Sequence, residues 1–291
     1  IIQGAMLLSI VAMSQIGIIP DYIFDASTRQ RHGLGFLWTT TGAILYFYFM
    51  VLYIYLREER AHLIEYVILE AVNFGLYKLT DARMSFYLST LLLIYVYVMR
   101  FYWQNRKDRI RKNRLLIGAP AFFCILAVAC QIFYVPTDAR WQKINSVLSG
   151  RLELGCFGWR DYGFLCSNKI EWIGFSHNAT AGTYNYVDCS YMQILLENGL
   201  IPLIIIIAVY TYIMYMAVKE KDFYLQTAVL LITAFSITEP RLLNLAYNPL
   251  PFFGITYISL RGRSALFHRE GHRLNRRVRF RTTHVRLKAR K

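Results

Sequence analysis

Arginines and carboxylates recur at a few points along this chain, each time beside a long apolar run. Arg29, Arg31 and His32 precede one run, and Thr80-Asp81-Ala82-Arg83 separates two others. Ser149-Gly150-Arg151 and Arg160 fall in a long segment rich in aromatic residues. Tyr186-Val187-Asp188-Cys189-Ser190-Tyr191 leads into a further run, and Thr238-Glu239-Pro240-Arg241 closes one. Taken singly, Arg and Asp in such places serve headgroup contacts and helix caps. Gathered on one face, they suit an anion and a proton transfer. The guanidinium fork makes bidentate bonds to phosphate oxygens, and a carboxylate beside it can act as general base towards a hydroxyl.

Other chemistries leave no trace. The sequence has no GxxxxGK[ST] loop for nucleotide phosphates, no GxSxG nucleophile elbow and no HExxH metal motif. Its five cysteines, at 124, 130, 156, 166 and 189, form no CxxC pair. Cys124 and Cys130 read as packing residues inside an apolar run. Cys156 and Cys166 share one segment, where pairing stays open. His268, His272 and His284 lack metal-ligand spacing. His177, in Ser176-His177-Asn178, could serve as a base or simply sit among headgroups.

The elements that must position these groups are membrane helices. Of 291 residues 56% are apolar, and only 18% are Asp, Glu, Lys or Arg, against roughly 25% in ordinary soluble domains. A helix needs about 20 mostly apolar residues to cross a hydrocarbon core of roughly 30 Å. Candidate spans are 1–19, 36–56, 62–79, 84–101, 115–135, 194–217, 223–238 and 243–260, about eight in all. Glu65 and Glu70 weaken the third, while Asn244, Asn248, Pro249 and Pro251 interrupt the last. The chain starts at Ile1 without a charged leader, which reads as a processed or truncated start rather than a signal peptide.

Sidedness follows from Lys and Arg in the short loops. Arg100, Arg106, Lys107, Arg109, Arg111, Lys112 and Arg114 mark 102–114 and its flanks as cytoplasmic. By alternation 57–61, 218–222 and the tail join that side, and 20–35, 80–83, 136–193 and 239–242 face outwards. The tail, 261–291, holds 12 Lys or Arg against Glu270 alone and so supplies most of the net charge of +15. It reads as a disordered basic anchor on anionic lipid. Without aromatic interleaving or a recognisable module it does not read as a nucleic-acid site.

The segment 136–193 exceeds the roughly 15 residues beyond which a loop is usually functional or disordered. Trp141, Trp159, Trp172, Leu148, Leu152, Leu154, Phe157 and Phe164 make it a folded external cap lying partly on the membrane surface. Within it 141–154 reads as one helix, ended by Gly155, Gly158 and Gly163.

Several of these stretches carry a resemblance. Arg31-His32-Gly33-Leu34-Gly35-Phe36 stands before a span. Thr80-Asp81-Ala82-Arg83 and Leu148-Ser149-Gly150-Arg151-Leu152 follow. Tyr184-Asn185-Tyr186-Val187-Asp188 leads to Leu195-Leu196-Glu197-Asn198-Gly199, and Ile237-Thr238-Glu239-Pro240 precedes Asn244 and Asn248. In their order and sidedness, over about 28–258, they resemble the Wzy-type polysaccharide polymerases of Gram-positive capsule and exopolysaccharide systems, relatives of the O-antigen ligases. Ala82 and Cys189 stand where small hydroxyl residues are expected, and the tail lies outside the resemblance.

The resemblance implies an all-α, polytopic, GT-C-like bundle over 1–260 in the bacterial cytoplasmic membrane, with further spans before Ile1. It implies a glycosyltransferase at the outer face that moves a growing glycan from undecaprenyl pyrophosphate to the sugar hydroxyl of another lipid-linked repeat unit. No cofactor or metal is expected. The partners would be that glycan, the bilayer and other polysaccharide-assembly proteins. Arg31, Arg83, Arg151 and Arg241, with Arg160 behind them, would stabilise charge on the leaving pyrophosphate. Asp188 is the first choice to activate or orient the acceptor hydroxyl, with Glu239 and Asp81 as alternatives. Tyr191, Asn244 and Asn248 would bind sugar hydroxyls, and Trp159 and Trp172 would stack on sugar rings or anchor in the interface. An O-antigen-type ligase, a lipid-linked oligosaccharide flippase and a non-enzymatic scaffold remain as alternatives.

Overall fold

The computed structural model describes residues 2–26, 29–36, 38–102, 110, 113–148, 150–162, 187–244, 248 and 250–251. The chain divides into two compact units, Ile1–Pro249 and Leu250–Lys291, and every element below belongs to the first.

Local sequence explains where the helices begin. Helix α1 spans Ile2–Gln15 and α2 spans Thr41–Arg57. In α3, Leu63–Thr80, His62 and Glu65 form a reciprocal capping box. Asp81 ends α3 in the left-handed conformation (φ +54°), and α4 follows at once as Arg83–Phe101. Pro120 opens α5, Ala119–Ile132, where its missing N–H costs nothing. The Asp138 carboxylate accepts from Arg140 N to start α6, Ala139–Val147, and α7 spans Arg151–Tyr162. Helices α8, Ser190–Asn198, and α9, Leu200–Lys219, meet at Gly199, whose φ of +92° favours glycine. Asp222 caps α10, Phe223–Phe235, by accepting from Leu225 N.

Burial sorts these helices into two classes. Helices α2 and α10 are buried along most of their length and pack together, with the rings of Phe47 and Phe235 4.2 Å apart. Around them α4, α5 and α9 turn large apolar side chains outwards: Leu91 and Ile94, Phe122 and Ile125, Ile201, Ile204 and Ile205. The stretches Arg83–Phe101, Arg114–Ile132 and Leu200–Lys219 are long and apolar enough to cross a membrane, and only 22–33% of each is buried by protein. Their outer faces therefore need an apolar surround.

The carboxylates that weaken the third span are all engaged. Glu65 accepts two bonds from Arg57, at 2.6 and 3.0 Å, and one from the Tyr53 hydroxyl. Glu70 accepts from Thr90 Oγ1 at 2.7 Å and Asn73 Nδ2 at 3.2 Å, which ties α3 to α4. A polar group satisfied by a neighbouring helix is tolerable where water is absent.

Five expectations need amending. The 20–35 connection is no plain loop, so the fold is mostly rather than wholly α-helical. It holds an antiparallel hairpin of β1, Ile23–Ala26, and β2, Arg29–His32. The 141–154 helix is two helices, because Gly150 adopts φ +84° and turns the chain between α6 and α7. Gly155 and Gly158 do not end a helix but lie inside α7, where they let it approach its neighbours. The 194–217 span starts at Ser190 and breaks at Gly199. The first helix stops at Gln15, short of residue 19. The tail 261–291, most of 243–260 and the part of the cap carrying Cys166, Trp172 and His177 lie outside the described residues.

The hairpin is fastened at its base. Asp21 takes His32 Nδ1 on one oxygen at 2.6 Å and the Leu34 N–H on the other at 2.8 Å. Leu34 is fully buried at φ +52°, a conformation a branched side chain adopts only under constraint. Asp21→Ala leaves that buried N–H unpaired, at a cost of about 1–3 kcal/mol. Limited proteolysis in detergent is then expected to cut the variant faster than wild type within 20–36. Equal protection would show that Asp21 does not hold the hairpin.

Candidate functional site

Helices run back and forth through the bundle, so the hairpin, the end of α3, the start of α4, α6 and α7, the start of α8 and the end of α10 all fall at one end. The Phe47–Phe235 contact, in the first half of α2 and at the last residue of α10, agrees with this. At the opposite end Arg57 meets Glu65, and Arg100 bonds the carbonyls of Glu59 and Ala61. Two arginine–carboxylate clusters lie at the first end.

The first cluster is centred on Asp81. Its carboxylate is buried, with 3% of the side chain exposed, and takes Arg31 Nη2 at 3.1 Å and Arg83 Nε at 3.4 Å. Arg31 arrives on β2 and Arg83 on the first turn of α4. Thr80 Oγ1 accepts from Ala82 N and so shapes the turn between the two helices. The two side chains stay partly accessible, at 38% for Arg31, whose Nε is buried, and 62% for Arg83. Each has five donors, so a bond to Asp81 leaves others to face an anion.

The second cluster is centred on Arg151, at the start of α7. Its Nε donates to Asp188 at 3.2 Å and its Nη2 to Glu239 at 2.9 Å. These partners lie 37 and 88 residues away in sequence. Asn145 aims α7 by accepting from Leu152 N and Glu153 N through Oδ1, so a side chain from α6 serves as the cap of α7. Ser190 joins the other two arms. Its N–H donates to Ser236 O at 2.9 Å, its hydroxyl donates to Glu239 O, and that hydroxyl oxygen accepts from Leu242 N at 3.0 Å. Asn145 and Ser190 escape sequence reasoning as site residues. Ser190, placed before an apolar run, carries the signal of a helix start and nothing more specific.

Burial pushes the Glu239 carboxyl up to about 7. Asp188 raises it further, and the positive charges of Arg151 and Arg241 pull it back without cancelling the effect of desolvation. A carboxyl that titrates there is suited to exchanging a proton near neutrality.

The remaining candidates are placed differently. Arg241 lies close enough to act on Glu239, and its N–H donates to the Glu239 carbonyl. Tyr191 is fully buried and its hydroxyl donates to Thr233 O at 2.6 Å, which joins α8 to α10. Asn248 is fully buried and donates to the Tyr210 hydroxyl and Leu242 O. Asn244 accepts from Asn248 N through its carbonyl. Tyr191 and Asn248 thus face inward rather than towards the exposed guanidinium groups. Arg160 is exposed at the far end of α7. Cys156 is buried, its thiol directed at Tyr134 O, and Cys166 lies outside the described residues. Among the described residues no three His, Cys, Asp or Glu side chains gather as metal ligands would.

The raised Glu239 carboxyl makes stability depend on pH. Its proton is held more tightly in the folded state, at about 7, than at the ordinary 4.5. This group's contribution is complete below about 4.5 and is lost as pH rises through about 7. The thermal midpoint of detergent-solubilised protein is expected to fall across that window. Glu239→Gln should remove the slope, and an unchanged slope would assign it to another group.

Compared with protein-family models, with curated proteins and with solved structures, the chain matches none.

Proposed function

We propose that the chain is a membrane glycosyltransferase that polymerises undecaprenyl-pyrophosphate-linked repeat units into capsular or exopolysaccharide. In this reading it is a GT-C-like bundle of about eight spans, acting at the outer face of the bacterial cytoplasmic membrane. The observation that carries the reading is the pair of clusters at one end of the bundle, Arg31–Asp81–Arg83 and Arg151–Asp188–Glu239.

The two clusters suit the two ends of a glycosyl transfer. Breaking the bond between the sugar and the pyrophosphate leaves the electron pair on a phosphate oxygen. Arg31 and Arg83, held in place beforehand by Asp81, are arranged to receive that charge at little reorganisation cost. The incoming hydroxyl must lose a proton as its oxygen bonds to the sugar carbon. Glu239 fits that role better than Asp188, the first choice from sequence, because burial brings its carboxyl to about 7. Asp188 and Arg151 then hold and tune Glu239. Asp81, already engaged with two guanidinium groups, is a positioning residue in this scheme.

The test is direct. Purified protein incubated with a lipid-linked repeat unit is expected to give a ladder of products. Arg31→Ala and Arg83→Ala should abolish the ladder while the protein still inserts and folds. Glu239→Gln should slow turnover by about 10²–10⁴-fold, the usual contribution of a general base, with Asp188→Asn less affected. Full-length polymer from both arginine variants would refute the pyrophosphate site, and normal turnover in Glu239→Gln would exclude it as the base.

A further inference from the structure

Helix α7 presents Arg151, Gly155 and Gly158 on one face, at positions i, i+4 and i+7. What each glycine touches flanks Asp188. A Cβ on Gly158 would come within 2.8 Å of Leu196 Cδ1 and 3.3 Å of Val187 Cγ2. A Cβ on Gly155 would fall on the side-chain amide of Gln131. Gln131 sits in the last turn of α5 and is 2% exposed. Its amide also lies close enough to Cys189, the residue after Asp188, to act on the thiol.

Gln131 therefore lies where α5, α7 and the start of α8 meet. Its Oε1 is buried without a hydrogen-bond partner among the described residues. A buried unpaired acceptor is costly, so packing alone does not account for an amide here rather than an aliphatic side chain. What the amide does is fill the notch in α7 left by Gly155, beside Cys189. Arg151 reaches Asp188 across that same junction, 3.2 Å from Nε to Oδ2.

We propose that Gln131 is a positioning residue: wedged between Gly155 and Cys189, it sets the separation across which Arg151 engages Asp188 and Glu239. The proposal takes from the transferase reading only the requirement that these three groups stay together. A methyl group at position 155 would take the place of the Gln131 amide. Because that side chain is only 2% exposed and has little room to swing aside, part of the displacement is expected to fall on α7 and loosen the hold of Arg151 on both carboxylates. Removing the Gln131 amide would make room for that methyl group.

The experiment uses the full chain in detergent and follows the protonation of Glu239 by infrared spectroscopy, its band identified by its loss in Glu239→Gln. Arg151, Asp188, Arg241 and the Tyr48 hydroxyl are the groups close enough to act on it. Gly155→Ala is expected to raise the midpoint by about one unit, a tenfold change in proton affinity, because Arg151 no longer opposes protonation. The double variant Gly155→Ala/Gln131→Ala should return most of the way to wild type. A folded Gly155→Ala protein with an unchanged midpoint, or a double variant no closer to wild type than the single one, overturns the proposal. If Gly155→Ala does not fold, Gln131→Ala alone decides: a shifted midpoint supports the role, and an unshifted one overturns it. Ladder synthesis should track the midpoint across the series. A wild-type protein that makes no ladder counts against the transferase reading, while the midpoint still decides this one.

Discussion

Arg151 carries a full positive charge into a site where only 18% of its side chain meets solvent. Such a burial is tolerable only where anionic partners lie within bonding distance, and removing one partner of a buried pair typically costs about 3–5 kcal/mol. Asp188 meets that requirement just before α8, and Glu239, just beyond α10, supplies a second acceptor oxygen whether or not it holds its proton. Holding one guanidinium thus ties α7 to the segments flanking α8 and α10. The hydrogen bonds of Ser190 with Ser236, Glu239 and Leu242 hold the two carboxylate arms together.

Elsewhere in the bundle charge is paired as well. Helices α2 and α10 form a dense centre in which Phe47, Tyr48, Phe223 and Phe235 are almost wholly buried. The charged pairs Arg57–Glu65 and Arg100–Glu59 stand at the opposite end. Between the ends, Glu70 is satisfied by Thr90 and Asn73, so a carboxylate on α3 acts as a link between α3 and α4. In the low-dielectric surround, unbalanced charge elsewhere would be expensive. Charge therefore concentrates where partners can be assembled.

The two clusters divide the arginines by what they have left to offer. Arg151 bonds two carboxylates and its side chain is mostly covered, whereas Arg31 and Arg83 share one buried carboxylate and keep more of their side chains exposed. This contrast separates a group that tunes its neighbours from groups able to meet an anion. In the proposed transferase it also moves the role of base from Asp188 to Glu239, whose carboxyl burial raises to about 7.

Much of this was legible in the residues themselves. Apolar runs with charge at their ends marked the helices at 63–80, 83–101, 119–132 and 200–219, because the spacing of apolar and capping residues is a local property of the chain. The residue types at Arg31, Asp81, Arg83, Arg151, Asp188 and Glu239 also suggested that arginines and carboxylates would meet. The pairing among them was not legible. Arg151 and Glu239 lie 88 residues apart, and nothing local distinguishes that pairing from Arg151 with Asp81. The glycines show the same limit from another side. Gly155 and Gly158 looked like helix breakers by propensity, but a missing Cβ matters as much for what approaches from outside as for the backbone. Sequence alone determined that this chain would form apolar helices with arginines and carboxylates at their ends, since propensity, hydropathy and capping act within a few residues. Only the tertiary structure decided which arginine meets which carboxylate and which carboxyl is buried enough to hold its proton, because desolvation and ion pairing depend on neighbours that the chain brings together only when it folds.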